Sequence, residues 1–176
     1  MYIPKKGFTL IELLVVLGIV AFISAVVILT LNPAELLKQS RDSVRLADLS
    51  AIKKAISIYM TAASNLDLGA ANTCYMSIAN GVSRCGVFSA SITAVNATTS
   101  RGVAGYNVYG GGWLPVQLTA ITPAPPLTTL PIDPINDSTY YYAYAASSTS
   151  LTFELDANME SAKYSTGSRG VEANDG

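Results

Sequence analysis

The sequence predicts an α+β fold in which a long N-terminal helix packs its second half on a small antiparallel sheet. Three stretches of the 176-residue chain differ in pattern. Residues 8–31 are apolar, residues 32–63 are amphipathic, and residues 64–176 are rich in Gly, Ser, Thr, Asn and Tyr. The first two stretches have the periodicity of helices, and the third contains strand-like alternation. The third stretch is also long enough to bury one small core.

The composition excludes several functional classes. Half of the residues are hydrophobic and 13% are charged, whereas a typical soluble domain has about 25% charged residues. Eleven basic and twelve acidic residues give a net charge of −1, which excludes a generally basic nucleic-acid binder. The chain has no histidine, so His-dependent catalytic triads and imidazole zinc sites are excluded. We therefore expect no catalytic residue, no cofactor and no metal ligand, and a protein that is not an enzyme.

The apolar excess is concentrated in residues 8–31, which read FTLIELLVVLGIVAFISAVVILTL and contain one charge, Glu12. A helix of this length spans roughly 36 Å, enough to cross a hydrocarbon core of about 30 Å. Residues 1–7 form a short leader, and its Lys5 and Lys6 are expected to hold this end in the cytoplasm by the positive-inside rule. The rest of the chain then lies outside.

Two alternatives for this segment fit less well. A secretory signal has a shorter apolar region followed by a small-residue cleavage site, and no such site follows residue 31. A plain signal anchor has no use for Glu12, because a carboxylate inside an apolar segment is costly unless it is paired or neutralised. Glu12 is then either functional or close enough to the interface to be hydrated.

The leader and the first helix resemble those of a known family. The run KKGFTLIELLVVLGIVAFIS at residues 5–24 resembles the class III leader and N-terminal helix of type IV pilins and of the pseudopilins of type II secretion. The resemblance extends to about Tyr59, roughly a third of the chain. It implies a pilin-like fold.

The resemblance also implies roles for three residues. In that family a membrane-embedded prepilin peptidase cuts after the glycine, here Gly7, and methylates the new amino terminus, here Phe8. The family's glutamate, here Glu12, pairs with the amino terminus of a neighbouring subunit. An adjacent pair of opposite charges offsets much of the desolvation cost of burying either one.

The implied function is that of a structural subunit of a type IV pilus. A type II secretion pseudopilin and a non-polymerising membrane-anchored binding module are the alternatives. The implied partners are further copies of the chain in a helical filament, prepilin peptidase, the pilus or secretion assembly machinery, and membrane lipid before assembly, with no nucleic acid. The implied location is the cytoplasmic membrane before assembly and the cell surface afterwards.

Asn32-Pro33 interrupts the helical pattern. Pro33 either kinks the helix or occupies the first turn of a second helix with Asn32 as its cap. In residues 34–63 an apolar stripe is predicted to face a partner domain, and the charged residues are predicted to form a solvated face with ion pairs across helical turns. The stripe contains Leu49, Ile52, Ile56, Tyr59 and Ala63, and the charged face contains Lys38, Arg41, Asp42, Arg45, Asp48 and Lys53.

The remaining chain contains three candidate strands. Residues 140–144 and 151–155 form the clearest antiparallel pair, because apolar and polar residues alternate in the second run. A third strand is predicted at residues 113–118, with Pro115 placing it at a sheet edge. Five prolines mark residues 121–134 as a loop.

Cys74 and Cys85 are the two cysteines, and the predicted topology places both outside the cytoplasm, where such a pair forms a disulfide. Half of a metal site is the alternative, but further Cys or His ligands are lacking.

Three further groups of residues give weaker indications of binding or modification. Asp133, Asn136 and Asp137 could hold calcium, although turn and cap roles are commoner for such residues. Asn96 and Asn136 each begin a glycosylation sequon. The tyrosines from residue 106 to residue 164 could stack on bases or sugars, but sheet and core positions are the stronger prediction.

Overall fold

The structure is a computed structural model that describes residues 7–70, 73–78, 97–100, 105–147 and 150–165, with residues 29, 31 and 97–100 described by their backbone alone. The chain divides into two compact units, Met1–Lys38 and Gln39–Gly176. The elements are helices α1 (Leu10–Leu31) and α2 (Pro33–Ala62) and strands β1 (Thr73–Met76), β2 (Ala97–Ser100), β3 (Tyr142–Ser147) and β4 (Thr152–Ala157).

Asn32 separates the two helices. It adopts a left-handed conformation with φ of 40°, which asparagine tolerates better than most residues. Its carbonyl oxygen accepts hydrogen bonds from the N–H groups of Glu35 at 3.0 Å and Leu36 at 3.3 Å. Pro33 is the first residue of α2, where the missing N–H costs nothing. This arrangement agrees with the second interpretation of the Asn32-Pro33 pair.

The four strands form one sheet in the order β2-β1-β3-β4. Strands β1 and β3 are antiparallel, as are β3 and β4, whereas β2 runs parallel to β1. The predicted α+β fold is therefore confirmed, and so is the predicted pair formed by β3 and β4. The parallel strand β2 was not predicted, because its sequence ATTS shows no apolar alternation.

The apolar stripe of α2 packs in the main core of the second unit, as predicted. Ile52, Ile56 and Tyr59 are at most 2% exposed and belong to the same cluster as residues of β3 and of the segment 113–118. The rings of Trp113 and Tyr142 pack at 6.1 Å between centroids. A second cluster around Cys74 and Met76 also includes Ala143 of β3, so apolar residues cover both faces of the sheet.

The predicted strand at residues 113–118 is wrong. Within it Gln117 makes one isolated antiparallel bridge to Tyr109, and a short 3₁₀ helix follows at Leu118–Ala120. Pro115 has no N–H to donate to a ladder. Trp113, Leu114 and Val116 are nevertheless fully buried, so the apolar run reflects burial and not strand pairing. Residues 121–134, which follow this 3₁₀ helix, contain no helix or strand, as predicted for a loop.

The prediction of a solvated charged face on α2 is also wrong for its central residues. Asp42 and Arg45 are fully buried, and their predicted ion pair is present at 2.8 Å. Arg45 also binds Asp133, with Nε at 2.6 Å from Oδ2 and Nη2 at 2.9 Å from Oδ1. Glu160 completes the cluster, with Oε1 at 2.7 Å from Nη1 of Arg45. The solvated face was predicted because two of the partners of Arg45, Asp133 and Glu160, come from distant segments that the helix sequence does not show.

These contacts hold the segment after β4 against α2. Asp42 accepts hydrogen bonds from the N–H groups of Glu160 and Ser161 and from the Ser161 hydroxyl. Arg41 forms a two-pronged pair with Glu160, at 2.9 and 2.6 Å, and the Arg41 guanidinium lowers the pKa of that carboxyl. Burial alone would raise the pKa of Asp42, but the hydrogen bonds from Ser161 and Glu160 lower it below its usual value. The carboxylates of Asp42 and Glu160 are therefore ionised at neutral pH.

Candidate functional site

The segment before α1 contains the residues to which the family resemblance assigns processing. Gly7, Phe8 and Thr9 precede the first helical residue, Leu10. Phe8 is 84% exposed. The bond between Gly7 and Phe8 thus lies in exposed, non-helical backbone, where a peptidase can bind it as an extended chain.

Thr9 begins α1 with a capping box. Its side-chain oxygen accepts a hydrogen bond from the N–H of Glu12 at 3.3 Å, and its own N–H donates to Oε2 of Glu12 at 2.9 Å. The Thr9 hydroxyl donates to the same carboxylate oxygen at 2.8 Å. This role of Thr9 was not predicted, although a threonine three residues before a glutamate at a helix start is the signature of a capping box.

Glu12 keeps part of its carboxylate available. The three hydrogen bonds of the capping box all join Thr9 and Glu12, and the two that reach the carboxylate both end on Oε2. Within the described part of the chain, Oε1 accepts no hydrogen bond. The side chain is exposed. Glu12 can therefore cap its own helix and still present a negatively charged oxygen to another group.

The surface of α1 is apolar and uncovered. Every side chain of its 22 residues that the structure describes is exposed. Among the described residues, one helix is long and apolar enough to cross a membrane; its apolar window, Leu10–Ile28, has a mean hydropathy of 2.9 and no burial. An apolar surface of this size requires lipid or protein around it. The helix thus suggests membrane anchoring.

The two hydroxyl side chains of α1 are satisfied within the helix. The Ser24 hydroxyl donates to the carbonyl oxygen of Val20 at 2.7 Å. The Thr30 hydroxyl donates to the carbonyl oxygen of Val26 at 3.0 Å. Because their polar groups are paired with backbone four residues earlier, these side chains are compatible with an apolar environment.

The predicted disulfide is only partly within the described structure. Cys74 lies in β1 and is fully buried in the second core cluster. Cys85 lies outside the described residues. The bond between Cys74 and Cys85 therefore stays a prediction.

The residues considered for calcium have other roles. Asp133 binds Arg45 and accepts hydrogen bonds from the N–H groups of Ile135 and Asn136. Asn136 Oδ1 accepts a hydrogen bond from the Ser77 hydroxyl at 2.9 Å. Oδ1 of Asp137 accepts hydrogen bonds from the N–H groups of residues 140 and 139, and these bonds lower the pKa of Asp137. Asp133 and Asp137 thus make the local turn bonds that are common for such residues, whereas the bonds of Asp133 to Arg45 and of Asn136 to Ser77 join distant segments. The other sequon asparagine, Asn96, lies outside the described residues.

The comparisons with known proteins concern the N-terminal segment. The family model of the prokaryotic N-terminal methylation motif matches residues 4–28. No curated protein and no solved structure matches the chain. The matched residues include the leader end, the capping box and most of α1. The chain therefore carries a prokaryotic N-terminal methylation motif, in the segment that resembles the class III prepilin leader of type IV pilins.

Proposed function

We propose that the chain is the structural subunit of a type IV pilus. The observation that carries the proposal is the combination of the methylation motif with a predominantly apolar helix whose described side chains are all exposed. The second unit has its own buried core. Such a chain has one surface that needs partners and one unit that is folded without them.

Processing converts the chain into its assembling form. Prepilin peptidase cuts between Gly7 and Phe8 and methylates the amino group of Phe8. Cleavage removes Lys5 and Lys6 and creates a positive charge four residues before Glu12. In the membrane, with the new amino terminus on the cytoplasmic side, this charge and the carboxylate both favour a place where each has a partner.

Assembly moves α1 from lipid into a protein bundle. In the filament, Oε1 of Glu12 pairs with the methylated amine of a neighbouring subunit, while Oε2 keeps its bonds to Thr9. Head-to-tail contacts of this kind propagate without closing and produce a helical polymer. The alternatives are a pseudopilin in a type II secretion system and an anchored binding module that does not polymerise.

Mass spectrometry of the exported protein tests the processing step. The proposal expects a mature chain that begins at Phe8 and carries one added methyl group on its amino terminus. Gly7→Leu provides the control, since a bulky residue at the cleavage position blocks entry to a site that accepts glycine, and this variant should retain residues 1–7. A wild-type chain that starts at Met1, or at an unmodified Phe8, would contradict the proposal.

A further inference from the structure

A polar cleft lies in the second unit beside the C-terminal end of α2. Its volume is about 420 Å³. One wall comes from the loop after α2, with Asn65 and Asp67. The other comes from Tyr109, Pro115 and Gln117. None of these residues has a role in the proposed processing or assembly.

The walls of the cleft are held by close backbone packing. A Cβ atom on Gly110, which has φ of 78°, would lie 2.9 Å from the carbonyl oxygen of Pro115. A Cβ atom on Gly69, which has φ of 103°, would lie 2.7 Å from Cγ of Pro115. The antiparallel bridge between Tyr109 and Gln117 fixes the far wall. Because Pro115 is enclosed between two glycines, the cleft is formed before any ligand arrives.

The polar groups of the cleft have spare hydrogen-bonding capacity. Asp67 uses Oδ1 to accept the N–H of Gly69 at 2.9 Å. Within the described part of the chain, Oδ2 of Asp67 and the side-chain amides of Asn65 and Gln117 make no hydrogen bond. Two amides and a carboxylate offer both donors and acceptors. They match a ligand with several neighbouring hydroxyl groups.

The apolar part of the cleft is the exposed aromatic ring of Tyr109. Tyr109 is 68% exposed, although tyrosine rings in this unit are otherwise mostly buried in the core. Pro115 lies in the same lining. An exposed aromatic ring beside a proline offers a platform for a flat, weakly apolar surface such as the C–H face of a sugar ring.

The charges of the lining decide between ligand classes. Among the residues that the structure describes, the lining contains one carboxylate and neither lysine nor arginine. A phosphate, a sulfate or a nucleic-acid backbone would find no cation there and would be repelled by Asp67. We propose that this cleft binds a neutral hexopyranose unit of a glycan, with Tyr109 stacking on the sugar and Asn65, Asp67 and Gln117 binding its hydroxyl groups. This activity goes beyond the proposed filament role.

A binding assay on the full chain tests the proposal. The chain is held in phosphatidylcholine nanodiscs, which avoid sugar-based detergents. The probes are polymers that display glucose, galactose, mannose, N-acetylglucosamine or N-acetylgalactosamine, since multivalent display raises weak affinities. We expect saturable binding of at least one neutral polymer. We expect Tyr109→Ala to weaken it about tenfold, and Tyr109→Phe, which keeps the ring, to change it less than about twofold.

Tyr106→Ala is the matched control. Tyr106 is 59% exposed but is not part of the lining, so its loss should leave binding unchanged. Asp67→Asn and Gln117→Ala should weaken binding, and the fluorescence of buried Trp113 checks that every variant is folded. The proposal is overturned if no neutral polymer binds saturably. It is equally overturned if Tyr106→Ala weakens binding as much as Tyr109→Ala, or if only sulfated or sialylated polymers bind.

Discussion

Glu12 has two roles, and substitution by glutamine can separate them. As the third residue of α1 it completes the capping box with Thr9, a role that glutamine also performs. As a carboxylate near the start of an apolar helix it can pair with a cation, which glutamine cannot do. Substitution by glutamine therefore keeps the helix start and removes the charge.

We expect both Glu12→Gln and Glu12→Val to insert into the membrane but to form no filaments, because neither can pair with a neighbouring amino terminus. Thr9→Ala removes the cap hydroxyl and costs about 1 kcal/mol of local helix stability, and it should still form filaments. Immunoblots of membrane fractions and electron microscopy of the cells measure the two outcomes. Normal filaments from Glu12→Gln would mean that Glu12 acts only as a helix cap.

Arg45 is the centre of the buried ion cluster. Both partners of the Arg45–Asp133 pair are fully buried at the side chain, and the Tyr140 ring lies 4.9 Å from the guanidinium carbon. Burial alone would lower the pKa of Arg45, but its hydrogen bonds to three carboxylates raise it. Removal of this one cation leaves buried carboxylates without compensation.

We expect Arg45→Met to lower the free energy of unfolding by about 3–5 kcal/mol. Arg41→Met is the matched control, because the Arg41 side chain is 35% exposed and binds only Glu160 of the cluster, and it should cost about 1 kcal/mol or less. Urea unfolding in micelles, followed by the fluorescence of the single tryptophan, measures both. Equal losses for the two variants would contradict the view that Arg45 is the centre.

At the scale of elements, the periodicity of the sequence predicted the two helices and the pair of strands β3 and β4, which depend on local sequence. The helices begin and end close to the predicted positions, and β3 and β4 pair as their alternation indicates. The segment at residues 113–118 was mistaken for a strand because a run of apolar residues reports burial without reporting its hydrogen bonds. The leader motif was readable because its residues are contiguous.

Contacts between distant segments were not readable from the sequence. Arg45 and Asp133 are 88 residues apart, and Arg41 and Glu160 are 119 residues apart. No local pattern relates such residues, so the charged face of α2 looked like an ordinary solvated face. The cleft beside α2 likewise depends on Gly69 and Gly110 meeting at one proline.

The glycine turn at residues 110–112 makes an element-scale prediction. A Cβ atom on Gly112 would clash with the carbonyl oxygen of Asn107 and lie 2.7 Å from Cδ1 of Leu130. A Cβ atom on Gly111 would meet only the Asn107 amide nitrogen, at an ordinary 3.7 Å. We expect Gly112→Ala to lower the free energy of unfolding by roughly 2 kcal/mol.

Gly111→Ala should change the same free energy by less than about 0.5 kcal/mol. Thermal unfolding followed by near-ultraviolet circular dichroism compares the two variants. If Gly112→Ala proved as stable as Gly111→Ala, the turn would have to adopt a different path from the one described.

At the scale of the whole molecule, the low charge and high hydrophobicity divide between two parts. The apolar content is concentrated in α1, which is exposed, whereas the second unit buries its own apolar residues and pairs its buried charges. Removal of the leader leaves nine basic and twelve acidic side chains. The second unit is therefore folded by its own contacts, whereas α1 lacks the surroundings that its apolar surface requires, and the proposed assembly would supply them.

The most direct test of this account is electron microscopy of surface fibres purified from cells that naturally produce the chain, with mass spectrometry to identify their subunit. The account predicts fibres whose main component is this chain, beginning at a methylated Phe8, and no such fibres after deletion of its gene. Fibres that persist without the chain, or a processed chain that stays in the membrane and forms no fibre, would contradict it.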